Sequence, residues 1–391
     1  MKIDTRVSDR LKKINPSSTL AITSKAKKLK SEGQDIVSLG AGEPDFDTPD
    51  FVKAAAIEAI NSGFTKYTPT TGIPELKKAI CEKLKKDNLL DYAPSQIVVS
   101  CGAKHSIFNA LMVLLKRGDE ALIPSPYWVS YPEMVNLCEA KPVFIQALAE
   151  NNFKITANDL KKNITAKTKV LILNSPSNPC GSVYNELELK EIAAVCAARK
   201  IFVISDEIYE KIIFDNLKHV SIAGFAKDIY DLTITVNGMS KSYSMTGWRI
   251  GYLAGPQDIV DAVSKLQDHS TSNPTSIAQK AAAAALAGGN DFVKDMAAEF
   301  QKRRDFCVGA LSKIKKIGFV KPQGAFYIFC DISKTKLDSL SFADRLLSEG
   351  LVAVIPGKAF GRDDYIRISF AASIAELTKG LSRIEQWLEK L

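Results

Sequence analysis

Five short apolar runs recur through the middle of the chain: Ile97-Val98-Val99, Ala121-Leu122-Ile123, Val170-Leu171-Ile172-Leu173, Phe202-Val203-Ile204 and Ile234-Thr235-Val236. Helical patterns lie between them. Runs without polar alternation read as strands buried on both faces, and their alternation with helices predicts a parallel sheet in an α/β domain. Each run leads at once into distinctive residues: Gly102-Ala103-Lys104, Pro126-Tyr127-Trp128, Asn174-Ser175-Pro176-Ser177-Asn178-Pro179, Ser205-Asp206-Glu207 and Asn237-Gly238-Met239-Ser240-Lys241. In open sheets of this kind ligands bind beyond the carboxyl ends of the strands. The pattern therefore points to one site built from several strand ends.

The last hundred residues read differently. An amphipathic pattern over about Asp291–Lys313 predicts a long helix, followed by a strand at Gly324–Phe329 and a helix around Phe342–Ser348. Strands at Val352–Ile355 and Tyr365–Ser369 and a closing helix from Ser373 complete an α+β unit. The first fifty residues lack a core of their own and are expected to join it. Three regions follow: 1–50 as an N-terminal segment of the small domain, 51–290 as the large domain and 291–391 as the small C-terminal domain. At 391 residues the chain is long for one core, in keeping with two domains.

Composition narrows the class. Apolar residues make up 46% and charged residues 25%, as in ordinary globular enzymes. The longest apolar candidate for a membrane span, Ala281–Ala287, is far too short. The amino terminus, Met1-Lys2-Ile3-Asp4-Thr5-Arg6, turns charged at once, so a cytoplasmic protein is expected. Seven scattered cysteines without a Cys-x-x-Cys pair fit reduced thiols. His105, His219 and His269 lie far apart without ligand-like spacing, so neither a metal site nor a Ser-His-Asp triad is expected. The net charge of +8 includes lysine clusters at Lys25/Lys27/Lys28/Lys30, Lys83/Lys85/Lys86, Lys161/Lys162 and Lys313/Lys315/Lys316. Lying among glutamates without interleaved aromatics, they predict solvated surface and no nucleic-acid track. Attraction of small acidic substrates is the most the excess implies.

Several residues carry chemistry in their own right. Lys241 follows a β-branched run, and Arg249 follows it after small and hydroxylic residues. An amine nucleophile needs desolvation or a carbonyl partner, and an arginine beside hydroxyls suits a phosphate-bearing cofactor. The alternative is that Lys241 is one more solvated lysine among 52 Lys and Arg. Asp206 ends an apolar strand, where it is either a cofactor carboxylate or a helix N-cap. Arg367 sits inside the apolar strand Tyr365-Ile366-Arg367-Ile368-Ser369, where it requires an anion. Gly40-x-Gly42 fails as a dinucleotide fingerprint, because the third glycine is absent and Pro44 follows.

The run Ser240-Lys241-Ser242-Tyr243-Ser244-Met245-Thr246-Gly247-Trp248-Arg249-Ile250-Gly251 closely resembles the cofactor-lysine segment of the class I aminotransferases, enzymes that use pyridoxal 5'-phosphate (PLP). The resemblance extends along nearly the whole chain. It implies the fold-type I architecture, a large α/β domain with a mainly parallel seven-stranded sheet and a smaller α+β domain. It also implies roles. Lys241 would hold PLP as a Schiff base, Asp206 would face the pyridine nitrogen, and Tyr209 would hydrogen-bond the phenolic oxygen. Asn178, in a loop resembling Asn-x-Pro-x-Asn-Pro-Thr-Gly, would contact that oxygen and substrate; Cys180 replaces the usual threonine. Gly102, Ala103, Lys104, Ser240 and Arg249 would cradle the phosphate, with Gly238 where the family often has a serine. Trp128 would stack on the pyridine ring and border the substrate. Tyr67 would reach the phosphate of a neighbouring subunit, which implies a homodimer with shared sites. Arg367 would grip the substrate α-carboxylate, and the Gly40 backbone would contact substrate.

The detailed match, in Ser125–Pro132 and Met245–Gly251, is to the bacterial aspartate aminotransferase subgroup. That implies transfer of the amino group of L-aspartate to 2-oxoglutarate with ping-pong kinetics. Some members accept prephenate through a lysine just before a Pro-Ser pair; Asn15 stands there in this chain, which argues against prephenate. Ser17 and Thr19 lie where the side-chain carboxylate would be recognised. Aromatic or alanine transamination and carbon–sulfur lyase chemistry are the alternatives within the class. A non-catalytic sensor of the same fold would carry a DNA-binding domain, for which the stretch before Leu39 has no room.

Overall fold

The structure, a computed structural model, describes residues 7–15 and 18–391. Seven strands form its large sheet: β1 (Ile97–Ser100), β2 (Glu120–Ser125), β3 (Lys141–Gln146), β4 (Thr168–Asn174), β5 (Phe202–Asp206), β6 (Thr233–Gly238) and β7 (Gly251–Ala254). Their order is β1-β7-β6-β5-β4-β2-β3. β7 runs antiparallel to β1 and β6, and the remaining pairings are parallel. Val98, Ile123, Val170, Ile172, Ile204 and Ile234 pack into one core. Leu122, Leu171, Leu173 and Val203 pack into another. Neighbours along one strand thus go to opposite faces, and helices cover both, which is why the runs are continuously apolar.

All five apolar runs lie in strands, and two further strands escaped the sequence pattern. β3 is a largely exposed edge strand whose apolar stretch Pro142-Val143-Phe144-Ile145 opens on a proline, a residue that counts against a strand. β7 is only Gly-Tyr-Leu-Ala, and its glycine is obligatory. A Cβ on Gly251 would stand 2.1 Å from the Ala103 backbone nitrogen, so only glycine lets β7 pass beside the Gly102–Ala103 turn.

A second sheet has the order β10-β11-β9-β8, all antiparallel, from β8 (Gly318–Phe319), β9 (Tyr327–Asp331), β10 (Ile355–Pro356) and β11 (Tyr365–Ser369). Phe300, Phe326, Phe329, Phe342, Phe360 and Phe370 fill the core against it. Helices Asp291–Leu311, Ser339–Glu349 and Ile374–Lys390 belong to the same part of the chain. Asp338 and Ser373 cap the last two by accepting from the Ser341 and Glu376 backbone N–H groups.

Two sequence-predicted strands differ in detail. The Val352–Ile355 run splits between sheets: Val352–Ala353 pairs in parallel with Val37–Ser38, whereas Ile355–Pro356 joins β11. The Leu39 N–H donates to the Ala353 carbonyl, and the Ser369 N–H donates to the Leu39 carbonyl, so residues 37–39 are stitched between the two. The strand expected from Gly324 begins only at Tyr327. A Cβ on Gly324 would meet the Ile212 carbonyl oxygen and the Pro176 ring at 2.8 Å, so the backbone there is engaged in a crossing contact.

One lysine cluster also departs from expectation. Lys83 is not solvated: its side chain is 11% exposed and pairs with Glu210. All seven cysteines are free. Among the described residues no helix is long and apolar enough to cross a membrane. Ser17 and the Thr19 side chain lie outside the described residues.

Candidate active site

β5 ends at Asp206, which pairs in register with Asn174 of β4 and Val236 of β6. Lys241 follows just beyond β6. Its Nζ donates to the Gly42 carbonyl at 2.6 Å and lies 5.8 Å from the Tyr209 ring centroid and 5.9 Å from that of Phe326. Burial is the main influence on this amine and lowers its pKa to about 8; Arg367 and Arg249 reinforce the shift, and Glu43 opposes it. A desolvated lysine of this kind is available as a neutral nucleophile or base near physiological pH.

Asp206 is 4% exposed. Burial raises its pKa to about 6, restrained by hydrogen bonds from the Tyr131 hydroxyl and the Ile208 N–H, at 2.6 and 3.3 Å. The residues that follow form a turn and no helix, which removes the N-cap reading. Tyr131 is buried and gives its only proton to this carboxylate, a role that no sequence motif marks. A buried carboxylate held by two donors, with no ion-pair partner among the described residues, fits a protonated ring nitrogen.

At the end of β1, Gly102 adopts φ +89°, and a Cβ there would fall 2.7 Å from Arg249 Nη2. The helix Ala103–Leu114 starts immediately afterwards and offers unpaired N–H groups. Arg249 donates to the Thr246 and Cys101 carbonyls at 2.8 and 3.4 Å. Lys104 lies 4.9 Å from the Trp128 ring centroid; burial lowers its pKa, and Arg249 adds to the shift. No carboxylate among the described residues pairs with either cation. Two cations, a helix N-terminus and a glycine-made recess fit a phosphate. Ser240 is buried just before Lys241.

Arg367 projects from β11 and is 4% exposed. Nη1 donates to Asn178 Oδ1 and Nη2 to the Gly40 carbonyl, both at 2.9 Å, while Nε has no partner. Burial lowers its pKa. A buried guanidinium satisfied only by neutral acceptors favours an incoming anion. Asn178 is itself placed by Asn174, which accepts from the Asn178 N–H at 2.8 Å and donates to the Asp206 carbonyl at 2.9 Å. Burial pushes the Cys180 thiol well up, so this departure from the family loop leaves an inert neighbour. The structure thus gathers Lys241, Asp206, Tyr209, Asn178, Arg367 and Gly40 around one site. Gly102, Ala103, Lys104, Arg249 and Trp128 form its phosphate-like side. Tyr67 is not brought in: it is 92% exposed on the same chain. Asn15 is turned to Glu133, with its N–H and Nδ2 donating to that carboxylate at 3.2 and 3.1 Å.

The sequence model described as aminotransferase class I and II matches residues 34–384. An aspartate aminotransferase of Bacillus sp. (strain YM-2) is 49% identical over 388 residues, covering 98% of this chain and 99% of that protein. A Rickettsia conorii protein named "Probable aspartate/prephenate aminotransferase" is 50% identical over 394 residues, with 98% of each covered. The crystal structure of the aspartate aminotransferase from Rhizobium meliloti superposes with a TM-score of 0.95 at 42% identity, covering 99% of this chain and 100% of that one.

Proposed function

The chain belongs to the class I and II aminotransferases, PLP-dependent enzymes of fold-type I, and from that premise we propose that it transfers the amino group of L-aspartate to 2-oxoglutarate. The observation that carries the reading is the convergence of a partly buried, desolvated amine, Lys241, a buried carboxylate, Asp206, and a buried guanidinium, Arg367, in a site lined by Tyr209 and Asn178. When bound, PLP supplies a covalent anchor for the amino group and an electron sink for charge at the substrate α-carbon.

The chain's own residues supply the rest. Lys241 would hold the cofactor, and its Nζ, when free, would take the α-proton and return it; a pKa lowered to about 8 by desolvation suits both tasks. Asp206, oriented by Tyr131, would keep a proton on the ring nitrogen. Gly102, Ala103, Lys104, Ser240 and Arg249 would bind the phosphate. Trp128 would cover the ring, Tyr209 and Asn178 would hydrogen-bond the phenolic oxygen, and Arg367 with the Gly40 backbone would position the α-carboxylate. Full-length relatives named for aspartate support a second carboxylate on the substrate. Relatives named for both aspartate and prephenate favour prephenate as a second reading, against which stands Asn15, committed to Glu133.

The enzyme is read as a cytoplasmic homodimer in which an exposed Tyr67 completes the partner's phosphate site, with 51–290 as the cofactor domain and 1–50 joined to 291–391 as the small domain. Absorbance of the PLP-reconstituted protein tests the substrate assignment. Aspartate and glutamate are expected to change the visible band faster than alanine or phenylalanine. Equal or faster reaction with phenylalanine overturns the aspartate reading.

A further inference from the structure

Tyr327, at the start of β9, stands between the two halves of the site. Its phenol oxygen lies 2.9 Å from that of Tyr209, and its ring centroid lies 4.2 Å from the Arg367 guanidinium carbon. The strand register explains the second contact: Phe329 pairs with Arg367 and Tyr327 with Ser369, so Tyr327 and Arg367 are diagonal neighbours on one sheet face. The first contact is an edge-on approach of the two tyrosines, with ring centroids 5.9 Å apart and planes at 81°. All three residues are buried.

Two buried hydroxyls that face each other hold two protons but make one hydrogen bond, so one proton is left to spend. Neither phenol has another hydrogen-bond partner among the described residues. Buried donors are rarely left unpaired. If Tyr327 donates, the spare proton is that of Tyr209, whose ring lies 5.8 Å from Lys241 Nζ. Arg367 bears on both phenols, but it lies against the Tyr327 ring, and that closer cation makes Tyr327 the better donor.

We infer that Tyr327 is a positioning residue that donates to the Tyr209 oxygen, turning the Tyr209 O–H toward the cofactor, while its ring face supports Arg367 for the substrate carboxylate. It acts through these two residues and touches neither reactant. The inference rests on the reading of Tyr209 and Arg367 as cofactor and substrate contacts. A proton directed at the cofactor's phenolic oxygen eases deprotonation of the neighbouring lysine-linked nitrogen.

Two variants of the PLP-reconstituted full chain separate the two contributions. The readouts are the pH midpoint of the visible band and the dissociation constant of maleate, a dicarboxylate without an amino group. Tyr327→Phe keeps the ring and loses the donor, so the midpoint is expected to rise by about half a unit, with maleate affinity within about twofold of wild type. Tyr327→Leu is expected to show the same shift and to weaken maleate about tenfold, since the cation also loses the ring. A Tyr327→Phe midpoint equal to wild type, or wild-type maleate binding by Tyr327→Leu, overturns the inference. A wild-type protein with no visible band, or with no response to maleate, instead overturns the reading on which it rests.

Discussion

At the scale of single residues, the site is a set of charges taken out of water and left without full partners. Asp206 shows the cost: burial raises its pKa to about 6, and the Tyr131 hydroxyl is the first influence that restrains it. Removing that donor by Tyr131→Phe should push the carboxylate higher still and cost about 1.5–3 kcal/mol, the worth of a hydrogen bond to a charged group. The acid limb of the kcat/KM profile is expected to move to higher pH, and an unmoved limb contradicts the assignment. Arg367→Ala should weaken every amino-acid substrate alike, by about thirtyfold or more at about 2–5 kcal/mol, because all share the α-carboxylate. Arg367→Lys should recover only part, since one ammonium cannot replace a two-pronged contact; KM values across four amino acids check both. Lys241, Asp206 and Arg367 were legible in the sequence, each being a charge placed in or just after an apolar strand. Tyr131 and Tyr327 were not, because each acts through one hydrogen bond to a residue distant in sequence.

At the scale of elements, strand ends carry the chemistry and a buried polar network holds the turn after β5. Lys83, from the helix Pro74–Asn88, pairs with Glu210 and donates to Asn88 Oδ1 at 2.6 Å. Asn88 Nδ2 donates to Glu210 at 2.7 Å and to Glu207 at 3.0 Å, and His219 Nε2 lies 2.8 Å from Glu207. Glu207, Glu210 and His219 have the spacing of metal ligands, but Lys83 already provides the cation for Glu210. Burial alone would raise the Glu210 pKa; Lys83 and His219 outweigh it and bring it from 4.5 down to about 2. That stabilisation is complete above pH 4.5 and is lost as pH falls toward 2. Burial would lower the His219 pKa from 6.5, but Glu207 outweighs it and raises it. That contribution is complete below pH 6.5 and fades as pH rises through the folded value. Lys83→Met should therefore cost about 3–5 kcal/mol, as breaking a buried pair does, and move acid unfolding to higher pH. Thermal melts from pH 2 to 8 check this, and a wild-type melting profile contradicts it. The charge pattern hid this network: Lys83 sits in a lysine-rich helix beside Lys85 and Lys86, and only the fold shows which of them turns inward.

At the scale of the whole molecule, the alternating apolar runs were enough to read a parallel sheet, and the large sheet is parallel except at β7, which runs antiparallel to both its neighbours. The edge strand β3 and the four-residue β7 were illegible because their pairing depends on neighbours elsewhere in the chain. The subunit arrangement is argued from Tyr67, an aromatic exposed by 92% in one chain. If Tyr67 completes a partner's site, Tyr67→Phe should weaken PLP retention about tenfold or more, the loss of one hydrogen bond to a charged group, while leaving the cofactor linked to lysine. Dialysis followed by absorbance checks it. The central claim is that one partly buried, desolvated amine, Lys241, carries the cofactor. The direct measurement is borohydride reduction of the PLP-loaded protein, followed by proteolysis and mass mapping of the pyridoxyl adduct. The account expects the adduct on Lys241, and its absence in Lys241→Ala. An adduct confined to another lysine, or no retained cofactor after reconstitution of the wild type, contradicts it.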